Sequence, residues 1–278
     1  LALTLGGGEV KMTEMAQAFS ALANRGKTKK LNEILEIRDK LGNKLYEFEN
    51  PNFVKNVREP LQAPSSLSIT GPQAVSPETA FIISHILLDN NARSAAFGAS
   101  SLLNIPGKAV SVKTGTTDDK RDNWTIGYTP NFLTVVWVGN NDNSPMHPYL
   151  SSGISGAAPV WNRVMRVVLE DQPDLWPVRP ESVVGHQVCW DSGDVVGTNE
   201  EGESSCPTRF EYFIKGTENT MTTKTIMTVP VGADDKLVPA DFPGAEMKEK
   251  TIIKDLLNTM YCVDCNNEGG APYQNVRL

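Results

Sequence analysis

Residues 109–138 read AVSVKTGTTDDKRDNWTIGYTPNFLTVVWV. Ala109 to Val112 make a short β-prone run, and a second β-prone stretch covers Trp124 to Val138. The turn triplet Thr129-Pro130-Asn131 splits that stretch into two strands, Trp124–Tyr128 and Phe132–Val138, joined as an antiparallel hairpin. Lys113, Thr114, Gly115, Thr116 and Thr117 lie between the two stretches. They would present a cation, three hydroxyls and one glycine at a strand end. Such a set suits the grip of a small carboxylate, with backbone N–H groups stabilising an oxyanion. Gly115 carries no side chain, so a substrate can lie against the strand there. By itself K-T-G is a short pattern, and a plain polar turn reads the same way.

Helical patterns flank this sheet. Met15, Phe19 and Leu22 recur at helical spacing over residues 13–25, with Thr13 as the expected cap and Gly26 at the end. Ser76-Pro77 opens a second helix that carries Phe81, Ile82, His85 and Leu88, where His85 reads as a packed residue rather than a base. Residues 157–170 form a third, with Val160, Trp161, Val164, Val168 and Leu169 apolar. A hairpin is expected over residues 31–48 around Gly42-Asn43, and a loop over 50–72. Helices before and after an antiparallel sheet make an α+β layered fold. Pro173, Pro177 and Pro180 mark a change of texture. We therefore expect one domain over residues 1–172 and a β-rich region over 173–278, with one further helix around Ile252, Ile253, Leu256 and Leu257.

Composition narrows the function. A net charge of −7 and a pI near 5.1 argue against nucleic-acid binding, so any positive site must be local, as at Lys113. No apolar run approaches the roughly 18 residues of a membrane span. Leu1-Ala2-Leu3-Thr4-Leu5 has neither an initiator Met nor a basic region, so it reads as the interior of a domain rather than a signal peptide. His147 and His186 lack the spacing of a metal motif, and neither metal nor cofactor is expected. Cys189, Cys206, Cys262 and Cys265 suit disulfides in an exported protein, with three pairings open. Cys262 and Cys265 also make a C-x-x-C that could serve half a zinc site.

In order, the segments resemble the C-terminal half of a class A penicillin-binding protein. Gly6-Gly7-Gly8-Glu9-Val10, Thr13-Glu14-Met15-Ala16 and Ala23-Asn24-Arg25-Gly26 are similar to that family's GG…V…LEMA…AN.G helix. Lys113–Thr117, Asp122-Asn123-Trp124 and Gly127-Tyr128-Thr129-Pro130 match its K-T-G region. Val138-Gly139-Asn140-Asn141-Asp142 and Ser155-Gly156-Ala157-Ala158-Pro159-Val160-Trp161 follow in register, and the likeness continues to about Glu218. The resemblance implies a penicillin-binding transpeptidase fold and acyl transfer on D-Ala-D-Ala stem peptides of peptidoglycan, with β-lactams as the other partners. It implies that Lys113 supplies positive potential, Thr114 and Thr116 bond the substrate carboxylate, and Gly115 leaves it room. The N–H of Thr116 would supply half the oxyanion hole, while Thr117 and Trp124 would border the substrate. It also implies a place on the outer face of the cytoplasmic membrane, facing the periplasm, with a membrane anchor outside this sequence.

Two departures qualify the likeness. No S-x-x-K and no S-x-N occurs, so the nucleophile is expected upstream and these residues alone are expected to be inactive. Ser111-Val112 stands where the family often has Ala-Gly, which puts the packing behind the strand in question. A serine β-lactamase or β-lactam sensor, which shares K-T-G, and a non-catalytic wall-binding module are the other readings.

Overall fold

The computed structural model describes residues 8–49, 58–62, 69–147, 152–190, 193, 196, 207–218, 223–254, 260–266 and 274–275. The chain divides into two compact units, Leu1–Pro180 and Glu181–Leu278. The first unit therefore runs past the expected end at residue 172, and side-chain bonding explains why. Asp174 Oδ1 accepts from the Ala109 N–H at 2.6 Å, Gln172 Nε2 donates to Glu59 O at 2.8 Å, and Lys108 Nζ donates to Gln172 O. The residues on either side of Pro173 are thus bound within the first unit.

The first unit holds α1 (Met12–Ala23), β1 (Glu36–Arg38), β2 (Lys44–Glu47), α2 (Pro77–Leu88), α3 (Asn90–Phe97), β3 (Ser111–Thr116), β4 (Asp122–Tyr128), β5 (Leu133–Gly139) and α4 (Ala157–Leu169). β3, β4 and β5 form an antiparallel sheet in that order. α1 and α2 pack on the sheet, as does α4. The α+β reading holds. Thr13 is not the cap of α1: the helix begins one residue earlier, and Glu14 reaches back to accept the Lys11 N–H at 3.1 Å. Gly26, with φ +86°, closes that helix by donating its N–H to Ala21 O. The hairpin around Gly42 forms as β1 and β2, with Asp39 Oδ1 accepting from the N–H groups of Leu41 and Asn43.

Strand alternation assigns the two faces of the sheet. Ser111, Lys113, Gly115, Trp124, Ile126 and Tyr128 share the face toward α2, and Val112, Thr114, Thr116, Asn123, Thr125 and Gly127 share the face toward α4. The main core lies on the α4 side: Val110, Val112, Trp161, Met165 and Leu169 are buried together with Leu103 and Ile105. On the other face a buried polar chain ties helix to sheet. Ser111 Oγ donates to Ser84 O at 2.7 Å, and Ser84 Oγ lies 2.9 Å from Tyr128 Oη. Ser111 thus anchors the start of β3 to α2, which is what the departure from Ala-Gly accomplishes. Burial pushes the Tyr128 phenol above its ordinary 10.0, against the lowering effect of those hydroxyls.

The second unit, taken by itself, contains only strands among its described residues. β6 (Val183–Cys189) pairs with β7 (Thr208–Ile214). β8 (Thr223–Val231), β9 (Glu246–Lys254), β10 (Met260–Cys262) and β11 (Gln274–Asn275) form a second sheet. The helix expected around Ile252 and Ile253 is instead β9, whose β-branched Thr251-Ile252-Ile253 run pairs with β8 and β10 on either side. Leu256 and Leu257 lie outside the described residues. Cys262 and Cys265 form a disulfide in the buried core of this sheet, so their sulfurs are not offered to zinc. Cys189 is also disulfide-bonded, and Cys206 lies outside the described residues.

Candidate active site

The K-T-G run does not follow a strand end. Lys113 to Thr116 continue β3, because threonine favours extended backbone and Gly115 adopts it without a positive φ. β3 pairs only with β4 among the described residues, so one edge of this strand is open. The phase of the ladder then decides which groups face that edge. The Thr117 N–H donates to Asp122 O at 3.1 Å, and residues of an antiparallel strand alternate between bonding the partner and facing away. The N–H and C=O groups of Thr114 and Thr116 therefore point to the open edge.

Lys113 is exposed, and its ammonium bends to the same edge, donating to Thr114 O at 2.5 Å. Thr116 is exposed, and its Oγ1 accepts the Gly153 N–H at 2.8 Å. Thr114 is half-buried beside Gly153, and its hydroxyl has no hydrogen-bond partner among the described residues. A cation and a backbone donor thus lie at one strand edge, with the exposed hydroxyl of Thr116 and the half-buried one of Thr114 on the same stretch of strand. Such a set can hold a carboxylate and stabilise a neighbouring oxyanion.

Gly115 faces the α2 side beside Trp124. A Cβ placed there would lie 3.6 Å from Trp124 Cβ, an ordinary contact, so the protein's own packing does not demand glycine. Trp124 is half-buried next to it and pairs across the sheet with Trp137. Thr117 has a different setting from the rest. Its Oγ1 accepts the N–H groups of Arg121 and Asp122, each at 2.9 Å, and so shapes the β3–β4 turn. Only its hydroxyl hydrogen is left for a ligand. The Asp118–Asp122 run is that turn: Lys120 has φ +55°, and Arg121 bonds Asp119 and Asn143 O. A small cavity of about 20 Å³ lies among Phe81, Ser84, Ser111 and Tyr128 on the α2 side. It includes neither Lys113 nor Thr116, so it belongs to packing and not to this chemistry.

The family is decided by the sequence model of the penicillin-binding protein transpeptidase domain, which matches residues 2–166, more than half of the chain. The chain belongs to that family. Penicillin-binding protein 1A of Neisseria lactamica is 31% identical over 187 residues, which is 66% of this chain and 21% of that protein. Penicillin-binding protein 1A of Vibrio cholerae is 28% identical over 244 residues, covering 78% of this chain and 29% of the relative. The crystal structure of penicillin-binding protein 1A from Haemophilus influenzae matches with a TM-score of 0.61 at 26% identity, over 79% of this chain and 34% of that one. The chain thus spans about a fifth to a third of the length of these relatives. Among its described residues no helix is long and apolar enough to cross a membrane.

Thr125 and Gly153 were not singled out from the sequence, and Asn123 only as part of a matching run, yet all three bear on the K-T-G edge. Thr125 Oγ1 donates to Gly153 O at 3.0 Å, and Asn123 Oδ1 accepts the Ala157 N–H at 3.2 Å, at the start of α4. No local pattern could have joined them, because the contacts span 28 and 34 positions.

Proposed function

We propose that this chain forms the carboxylate and oxyanion side of a serine D,D-transpeptidase that cross-links peptidoglycan stem peptides and is acylated by β-lactams. The observation that carries the reading is the open edge of β3, where Lys113 Nζ reaches the Thr114 carbonyl and the N–H and exposed hydroxyl of Thr116 follow two residues on.

In this reading a serine oxygen adds to the carbonyl carbon of the penultimate D-Ala. The carbonyl π electrons move to oxygen, and the Thr116 N–H donates to the resulting oxyanion. Collapse breaks the C–N bond, the terminal D-Ala leaves as an amine after taking up a proton, and the ester remains. An amine of a neighbouring stem then displaces the serine and forms the cross-link. The terminal carboxylate of the donor, or the equivalent carboxylate of a penicillin, is held by the hydroxyls of Thr114 and Thr116 within the positive potential of Lys113. Gly115 leaves the strand surface flat enough for the backbone of the peptide. No S-x-x-K occurs in these 278 residues, so the attacking serine comes from residues outside them.

Fluorescent-penicillin acylation of the full-length protein tests the reading. Lys113→Ala should slow labelling by about 100-fold, the scale on which one electrostatic group in a reacting site acts, and should leave the melting temperature unchanged. Wild-type labelling by this variant would remove Lys113 from the mechanism. The 278 residues alone should give no covalent adduct, and a stable one would reveal a serine within them.

A further inference from the structure

The hydroxyl oxygen of Thr116 is held in place. The Gly153 N–H donates to its oxygen at 2.8 Å, and the Gly153 carbonyl in turn accepts from Thr125 Oγ1 at 3.0 Å and from the Ala158 N–H at 2.9 Å. Gly153 is buried against the sheet, and it fits there only because it lacks a side chain: a Cβ would stand 2.8 Å from Thr114 Cβ and 3.1 Å from Trp124 O. The turn that carries it is closed on itself. The Gly156 N–H donates to Ser152 O at 2.8 Å, and Ser152 Oγ lies 3.0 Å from Ser155 Oγ. Asn123, opposite Thr116 in the sheet, takes up the Ala157 N–H and fixes where α4 begins. Thr125 and Asn123 are fully buried, whereas the threonine this frame holds is exposed.

A threonine hydroxyl has one hydrogen to give and two lone pairs to receive with. With one lone pair taken by Gly153 from the α4 side, Thr116 keeps its hydrogen and one lone pair for a ligand at the edge of β3. We infer that the Ser152–Gly156 turn is a positioning clamp that fixes the Thr116 oxygen so that its hydrogen can be given to an anionic ligand, with Thr125 as the buried residue that holds the clamp shut. Thr125 is a positioning residue: it never touches the ligand and acts through Gly153 and Thr116. The inference rests on the carboxylate reading of Thr116 above and extends it to a segment 28 positions along the chain from Thr125.

The test is a double-mutant cycle in the full-length protein, read as the second-order rate of acylation by a fluorescent penicillin bearing its free carboxylate. Thr116→Val should slow acylation by roughly 10-fold or more, the usual worth of a hydrogen bond to a charged group. Thr125→Val should slow it by about 10-fold on the same scale. Thr125→Ser, which keeps the hydroxyl, should restore the rate. The combined variant should be no slower than Thr116→Val alone, because a clamp with nothing to hold has no further effect.

Slow acylation by Thr116→Val with a wild-type rate for Thr125→Val overturns the clamp and leaves the carboxylate reading standing. Effects that multiply in the combined variant, or a serine variant as slow as the valine, assign Thr125 a merely structural role and overturn it too. A wild-type rate for Thr116→Val overturns both readings. Should Thr125→Val fail to fold, amide exchange of Gly153 decides the matter: the N–H should be protected in the parent and lose that protection in Thr116→Val, and equal exchange in the two overturns the clamp.

Discussion

Gly115 and Gly127 lie on neighbouring strands of one sheet, three register positions apart, and do opposite things. A Cβ at Gly127 would stand 2.3 Å from Trp161 Cζ2, so the indole of α4 can approach β4 there only because that residue is glycine. A Cβ at Gly115 would meet nothing closer than 3.6 Å. The packed face under α4 uses its glycine to seat a helix. The edge of β3 has a glycine that the fold itself does not require. Space that packing does not need is where a ligand can lie, and at Gly115 it adjoins the exposed lysine and threonine.

Substitutions at these positions should separate stability from chemistry. The largest effect is expected at Lys113, whose replacement by Ala should cost about two orders of magnitude in acylation while thermal unfolding stays where it is. Gly127→Ala should do the reverse. Overpacking against Trp161 should destabilise the first unit by about 3 kcal/mol, seen as a lower urea midpoint. Loss of acylation in that variant should track the unfolded fraction. Gly115→Ala should slow acylation by roughly 10-fold, as expected for a methyl group set against a bound ligand, and leave the urea midpoint within about 0.5 kcal/mol of the parent. A Gly115→Ala variant that unfolds like Gly127→Ala would erase the distinction between edge and face.

A smaller effect is expected from Tyr128. Burial raises its phenol above 10.0, so the folded protein holds that proton more tightly than the unfolded chain does. The associated stability is complete below the unfolded value and is lost as pH rises through the folded one. Melting measured from about pH 9 to about pH 11 should fall at the alkaline end, and Tyr128→Phe should flatten part of that fall. An unchanged slope in the phenylalanine variant would remove Tyr128 as its source.

Much of this layout was legible in the residues because it is local. The Thr129-Pro130-Asn131 turn announced the β4–β5 hairpin, and Thr129 Oγ1 accepts from the N–H groups of Asn131 and Phe132 there. The apolar stripe of α4 gave its length to within a residue. The tail misled because Ile252 and Ile253 are adjacent, a pattern that suits a helix face, whereas a strand paired on both sides buries both. α3 escaped notice because Asn90, Asn91 and Ser94 are weak helix formers, and the helix depends on Asp89 capping Asn91 and Ala92. At the site, Lys113 to Thr116 could be read from their own side chains. Gly153 and Thr125 could not, since their relation to Thr116 exists only after the sheet and α4 have come together. Thr117 looked like its neighbours in sequence, but a turn claimed its oxygen.

The most direct measurement is a crystal structure of the full-length protein acylated by a penicillin. The account predicts the antibiotic's carboxylate within about 3 Å of the Thr114 and Thr116 hydroxyls and the acyl oxygen at a similar distance from the Thr116 N–H. An adduct whose carboxylate lies away from the β3 edge, with Thr114 and Thr116 still facing water, would contradict it.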